Sequence, residues 1–352
     1  MRLPDFRMST LSLPILDHGP QRPVYAQGPR SLASIKLLRL SVTDRCNLRC
    51  IYCMPDEGVG WMGRQSDLLT PTDFEAVAQA ALSIGVRSLK VTGGEPTIRP
   101  DILDIVARLK ALGPEDLSLT TNGLMLARLA HPLRSAGLDR LTVSCDSLQP
   151  ERYAHITHGG SLAEYQQGVA AAEEAGFTRL KVNVVVMRGI NDDEVADFAA
   201  LTMDKPWTVR FIEYMPLGDS ALMRADPEER IVDNEIVKAR ITEALGELTP
   251  VERTQEVGVG PANVFRLPNA KGRIGFISAM SRPFCETCNR LRLTAIGELR
   301  SCLFDGGEVD LMPALRPRAD VARLVELFEA CVILKPEVHS SHGNRAMSQL
   351  GG

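Results

Sequence analysis

Six runs of mostly apolar, β-branched-rich residues recur along the first two-thirds of the chain, at 37–42, 86–92, 117–121, 140–145, 180–187 and 209–215. Between them apolar positions return with helical spacing, for instance over 74–84, 102–112, 162–175 and 193–201. A period near 3.6 predicts helices, and short apolar runs bounded by turn residues predict buried strands. Start and stop residues sit where this reading needs them. Pro71 and Asp73 open one helix and Gly85 closes it; Gly113, Gly137 and Gly176 close others. Strands alternating with helices predict a parallel sheet with right-handed crossovers. An open sheet and a barrel both satisfy that pattern. Candidate site residues fall just after nearly every strand instead of at one crevice, and no dinucleotide-type glycine fingerprint dominates, which favours a barrel. The expected fold class is therefore α/β, a partial (β/α)6 TIM-type barrel.

After about residue 245 the rhythm stops. Short β-like runs at 263–267, 273–278 and 290–294, set among Pro and Gly, predict an irregular, partly antiparallel C-terminal extension, with helical patterning again at 320–334. The first ~35 residues, rich in Pro, Gly, Gln and Ser, read as an extended arm. Three units follow: an arm over 1–35, a barrel over 36–245, and a C-terminal domain over 246–352 ending in Gly351-Gly352.

Composition narrows the classes. An apolar share of 44% in 352 residues supports a sizeable core. A formal net charge of −4 argues against general nucleic-acid binding, which needs a basic excess. No apolar run approaches the ~20 residues of a membrane span, and the N-terminal segment is broken by Pro, Asp and Arg. A cytoplasmic protein with no membrane partner is the expectation.

The eight cysteines, in a large chain without a leader, suggest metal binding or catalysis before disulfides. Cys145 and Cys331 stand alone and read as small buried hydrophobes. Cys46, Cys50 and Cys53 form C-x3-C-x2-C just after the first strand. Three thiolates can hold three irons of a cubane and leave the fourth open to a small chelator. A zinc site, which wants four ligands, is the other reading of a bare triplet. Cys285, Cys288 and Cys302 form a second group, C-x2-C-x13-C; His339 or His342 could complete a zinc site there. The turn Thr92-Gly93-Gly94-Glu95-Pro96 follows the second strand, and its glycines let a ligand come close to backbone N–H and C=O groups. Lys90 and Lys181 lie inside apolar strand runs, where a charge is costly unless it is paired or faces a ligand.

Beside the first triplet, the Gly-Gly-Glu-Pro turn resembles the radical S-adenosylmethionine (SAM) superfamily. The resemblance narrows further. The segments Leu38-Arg39 to Pro55 through all three cysteines, Thr120-Thr121-Asn122-Gly123, Val143 to Ser147, Lys181 to Val185, Arg210 to Met215 and Phe284 to Leu293, together with Gly351-Gly352, are similar to the GTP 3′,8-cyclase family. This likeness runs almost continuously over ~36–305.

What the resemblance implies is specific. Each triplet would hold a [4Fe-4S] cluster, the first binding SAM through its open iron and the second binding the guanine base. The first cluster would cleave SAM to a 5′-deoxyadenosyl radical, which takes the 3′ hydrogen of GTP. The ribose radical would then close onto guanine C8, the first step of molybdenum cofactor biosynthesis, giving (8S)-3′,8-cyclo-7,8-dihydroguanosine 5′-triphosphate. By position, SAM contacts map to Tyr52, Gly94, Ser144 and Met215. GTP contacts map to Arg39, Lys90, Thr120, Lys181, Arg290 and Arg292. The Gly351-Gly352 tail would reach the active site. An external electron donor, a downstream enzyme taking the product and a homodimer are the implied partners. Three departures stand out: Lys90 where the family usually has Arg, which removes a bidentate fork; Cys145 in place of an aliphatic residue; and a longer N-terminal arm, with 21–34 resembling an insertion.

Overall fold

The computed structural model describes residues 30–55, 67–218, 220–224, 227–252, 258–305, 308–339, 343 and 345–351. Most of the arm, His342 and Gly352 lie outside that set. Six parallel strands, β1 (Leu37–Ser41), β2 (Ser88–Thr92), β3 (Asp116–Thr121), β4 (Arg140–Ser144), β5 (Lys181–Val186) and β6 (Thr208–Glu213), pair in sequence order. The helices between them are α1 (Pro71–Ser83), α2 (Ile102–Ala111), α3 (Leu126–Ser135), α4 (Pro150–Thr157), α5 (Leu162–Glu174) and α6 (Val195–Asp204); α7 (Asn234–Leu245) follows β6. The opening of α1 illustrates the local logic. Pro71 occupies its first turn, and Thr70 and Asp73 close a reciprocal capping box.

The extension does more than was expected of it. After the short strand β7 (Thr249–Pro250) come β8 (Asn263–Arg266) and β9 (Arg273–Ile277), then β10 (Arg290–Leu293), β11 (Glu298–Arg300) and β12 (Val309–Asp310). β9 pairs parallel to β6, and β10 pairs parallel to β1, so the extension adds a strand to each edge of the six. Antiparallel strands β8 and β7 flank one side, and β11 and β12 the other. Among the described residues the twelve strands form one sheet whose ends, β12 and β7, do not pair. The fold is thus a partial barrel with antiparallel outer strands. Helix α8 (Met312–Leu315), helix α9 (Val321–Ile333) and the terminal turn α10 (Met347–Leu350) complete the chain. No helix among the described residues is long and apolar enough to cross a membrane.

The strand faces divide the chemistry. Leu38, Leu40, Leu89, Val91, Leu117, Leu119, Leu141, Val143, Val182, Val209 and Phe211 are buried in the main apolar core. On the opposite face, partners in register share a side. Arg292, Arg39, Lys90, Ser118 and Arg140 form one such row across β10, β1, β2, β3 and β4. A charged row inside an otherwise apolar sheet is stable only around something polar. Cys145 and Cys331 are both buried, 1% and 0% exposed, in the same core.

Candidate active site

The two cysteine triplets sit at opposite ends of the strands. Cys46, Cys50 and Cys53 lie in the loop leaving the C-terminal end of β1. Cys285 and Cys288 precede β10, which runs parallel to β1, and Cys302 follows β11, which runs antiparallel to β10. All three are therefore at the N-terminal rim. A cavity of roughly 1290 Å³, counting its open mouth, is lined by residues of the second triplet and of the inner strand face.

The first loop is held from several sides. The buried Arg99 guanidinium donates to the carbonyl of Val42 and to that of Leu69 (2.7 Å), which pins the end of β1. The Gly-Gly turn packs on the cysteine loop: Gly94 N–H donates to Thr43 O (2.7 Å) and Glu95 N–H to Arg45 O (2.8 Å). A Cβ on Gly93 would stand 2.4 Å from Thr43 O, and one on Gly94 2.3 Å from Arg45 O. Here the glycines are required by the neighbouring backbone, and the N–H groups of Gly94 and Glu95 are spent within the protein. Of the backbone N–H and C=O groups the turn was expected to bring near a ligand, these two N–H groups are thus taken up by the cysteine loop. The buried Glu95 carboxylate accepts from Thr97 N (3.0 Å), Thr121 Oγ1 (2.8 Å) and Asn122 N (2.7 Å), locking the β2 loop to the β3 loop. Nothing in its sequence context singled out that role.

The donor sets fit iron–sulfur clusters. Burial pushes the Cys46 thiol up to about 11, with Glu95 adding to it. Burial together with Cys46 pushes Cys53 up to about 12, and Cys50 is likewise raised by burial and by Cys53. Buried thiols that raise one another stay neutral until a cationic group displaces their protons. N–H donors already face them, Leu48 N to Cys46 Sγ at 3.4 Å and Ser348 N to Cys53. Among the described residues no three His, Cys, Asp or Glu side chains gather as they would around a single ion; a cubane takes each thiolate on a separate iron. At the second triplet His339 N–H and Arg290 N–H face Cys285 and Cys288. Lys335, 3% exposed, donates to Cys288 Sγ (3.4 Å) and to Ser301 O (2.9 Å). Burial raises the Cys288 thiol, but Arg290 and Lys335 outweigh it and bring it down to about 6. His339, the zinc ligand considered above, stacks on Phe304 (4.0 Å) with Nε2 2.8 Å from Ala279 O. A ring nitrogen against a carbonyl carries a proton, so Nε2 is taken up by that hydrogen bond. His342 lies outside the described residues.

These thiols give a pH prediction. In metal-free protein at pH 7, iodoacetamide should label Cys288 ahead of Cys46, Cys50, Cys53 and Cys285, because of these five it alone has its pKa lowered. Lys335→Met should raise that pKa and cut labelling at pH 6 severalfold. Peptide mass spectrometry reads this, and Cys46 labelling as fast as Cys288 would contradict it.

Every residue assigned by position to GTP lines the cavity: Arg39, Lys90, Thr120, Lys181, Arg290 and Arg292. Arg210 joins them, buried on β6, and was not singled out as a site residue from the sequence. Lys90 Nζ and Arg210 Nη2 both reach Thr142 Oγ1, at 3.3 and 3.5 Å. Burial holds Arg39 and Lys90 well below their ordinary values, and neighbouring cations push further: Arg292 on Arg39, and Arg210 on Lys90. Burial and Arg290 bring Arg292 down to about 9. The same walls hold Thr120 Oγ1 and Asn183 Oδ1, buried polar atoms with no hydrogen-bond partner among the described residues. Crowded cations suit a polyanion, and the orphaned hydroxyl and amide oxygens suit a ligand that also carries hydrogen-bond donors.

Of the four residues assigned to SAM, Met215 lines the cavity and Ser144 ends β4. Tyr52 donates to Asp146 (2.9 Å), whose carboxyl burial raises to about 6 against the hydrogen bonds from Val185 N and Tyr52. Gly94 stands in the turn just described. Gly351, with φ +70°, brings the tail inside: its carbonyl accepts from Arg292 Nη1 (2.8 Å) and Arg39 Nε (3.2 Å). Gly352 lies outside the described residues.

A partial barrel with a three-cysteine loop beyond β1 defines a radical SAM protein. The Radical SAM superfamily pattern matches residues 40–202, and the Molybdenum Cofactor Synthesis C family matches residues 207–341. Streptococcus suis SuiB bound to S-adenosylmethionine shares the fold at TM-score 0.58 and 12% identity, over 90% of this chain and 78% of that one. Among curated relatives, the GTP 3′,8-cyclase of Pelotomaculum thermopropionicum is 45% identical over 323 residues, 90% of this chain and 98% of that protein. Those of Heliobacterium modesticaldum and Geobacter sulfurreducens are 46% and 45% identical over 90% of this chain. This chain belongs to the GTP 3′,8-cyclase family.

Proposed function

We propose that this chain is a radical SAM cyclase that converts GTP to the 3′,8-cyclised dihydroguanosine triphosphate, the first step of molybdenum cofactor biosynthesis. The observation that carries this reading is the arrangement of the chamber: two cysteine triplets at opposite ends of the strands, the second lining the cavity, with a row of buried and half-buried cations on the strand face between them. When bound and reduced, the first cluster supplies the electron that cleaves SAM to a 5′-deoxyadenosyl radical. Cys46, Cys50 and Cys53 would hold that cluster, and Cys285, Cys288 and Cys302 the second. Lys90, Lys181, Arg39 and Arg292 neutralise the triphosphate, so the nucleotide is fixed in one pose while hydrogen transfer and ring closure take place. Lys90 keeps charge at its position without an Arg fork, so the shared Thr142 hydroxyl, not a bidentate clamp, fixes its head. The buried setting keeps water from the reactive intermediates.

The reading also includes an external electron donor, a following enzyme that takes the product, a homodimer and a cytoplasmic setting. An anaerobic assay with dithionite, SAM and GTP tests the chemistry. The expected result is 5′-deoxyadenosine formed together with GTP consumption and cyclised product. 5′-Deoxyadenosine without GTP loss would remove the substrate assignment.

A further inference from the structure

A second depression opens at the N-terminal ends of β4, β5, β6 and β9, about 640 Å³ counting its open mouth. Arg140, Arg179, Lys181, Arg266, Lys271 and Arg273 line it; its other lining residues are Pro206, Thr208 and Gly272, and none is a carboxylate. In a chain of net charge −4, six cations around one mouth, of which Arg140 is paired with Asp116, are not a mixed solvated surface. Arg179, Arg266 and Lys271 form its exposed outer ring.

The depression is built into the fold. Gly272 N–H donates to Thr202 O (2.8 Å) and Arg273 N–H to Trp207 O (2.8 Å), which ties the turn carrying Lys271 and Arg273 to the last turn of α6 and the start of β6. A Cβ on Gly272 would stand 2.3 Å from Trp207 O, so the turn closes this tightly only with glycine. Arg140 is held by a two-pronged ion pair with Asp116, both contacts 2.6 Å. Arg140 and Lys181 also line the main cavity. These two side chains therefore stand between the outer depression and the chamber.

We infer that this depression is a polyphosphate port, through which the triphosphate of the incoming nucleotide is captured at the N-terminal face and passed, by way of Lys181, to the cations inside. The inference rests on the proposal that GTP is the substrate. A mouth lined by one sign of charge raises the local concentration and capture rate of the opposite sign, an effect that salt screens over roughly 10 Å at 0.1 M. Lys181 would touch the phosphates in both positions.

The test is Arg179→Glu/Lys271→Glu in anaerobic holoenzyme, with Arg179→Gln/Lys271→Gln as the milder pair and thermal melting to check folding. Neither residue lines the chamber. At low salt, kcat/KM for GTP should fall about tenfold or more in the Glu pair and less in the Gln pair. The difference should close at about 0.5 M salt, and kcat at saturating GTP should be unchanged. Equal kcat/KM at low salt, or a loss independent of salt, would overturn the port. Calorimetry with inorganic triphosphate gives a second arm. Weaker binding by the Glu pair supports the port even if the wild type consumes no GTP, which would count against the substrate assignment alone. Unchanged triphosphate binding counts against the port.

Discussion

Ending the chain at Leu350 should lower GTP turnover by about a hundredfold or more while leaving SAM cleavage without GTP within a fewfold of wild type. The Gly351 carbonyl accepts from two cations, Arg292 at 2.8 Å and Arg39 at 3.2 Å. Arg292 is buried and Arg39 half-buried among other cations, and desolvation lowers the pKa of both. A hydrogen bond to a charged group contributes about 1.5–3 kcal/mol. Losing two of them amounts to at least about 3 kcal/mol, and 1.36 kcal/mol is a factor of ten. Gly351→Ala is the gentler variant: its Cβ would stand 2.8 Å from Thr92 Cγ2, at a left-handed φ of +70° that costs a non-glycine residue about 1–2 kcal/mol. HPLC of 5′-deoxyadenosine and of residual GTP separates the two activities. Equal loss of both in the truncated chain would mean that the tail supports the whole fold instead of the nucleotide side; Ser348, whose N–H faces Cys53, makes that outcome measurable.

Much of this site could be read before any coordinates, for a physical reason. Local constraints leave marks in local sequence: strand-terminal cysteines, a Gly-Gly turn, lysines inside apolar runs. Residues 37–41 alternate between core and chamber because strand period two puts Arg39 opposite Leu38 and Leu40. Long-range pairing leaves no such mark. The runs at 273–278 and 290–294 resemble ordinary antiparallel strands, yet β9 and β10 join opposite edges of the parallel sheet. Their placement depends on partners more than 60 residues away along the chain for β9 and about 250 for β10. The same holds for Arg210, Glu95 and Lys335. None is marked out by its own segment, and its role appears only when Thr142, Thr121 or Cys288 is brought beside it. The Gly93-Gly94 turn was legible as a close approach, but the group that approaches is the Thr43–Arg45 backbone.

Cys50→Ser should abolish 5′-deoxyadenosine formation entirely, whereas Cys302→Ser should abolish GTP cyclisation and retain SAM cleavage. The asymmetry follows from topology. Cys50 lies beyond the C-terminal end of β1, beside Tyr52 and the Gly94 turn. Cys302 follows β11 at the other end of the sheet, near Arg290 and Arg292. Serine replaces a soft thiolate with a hard, weakly acidic hydroxyl, a poor ligand for an iron–sulfur cluster. Loss of one ligand from a three-ligand cluster is therefore expected to release it. With two cubanes of four irons each, the wild type should carry about eight irons per chain and either variant about four. Both variants would then have similar iron content and no cyclisation but differ in SAM cleavage, a pattern that a shared folding defect cannot produce. Iron analysis with paired 5′-deoxyadenosine and GTP assays reads it directly. If Cys302→Ser also lost SAM cleavage while keeping four irons and a wild-type melting temperature, the two ends of the chamber would be working as one centre, and the division of labour proposed here would fail.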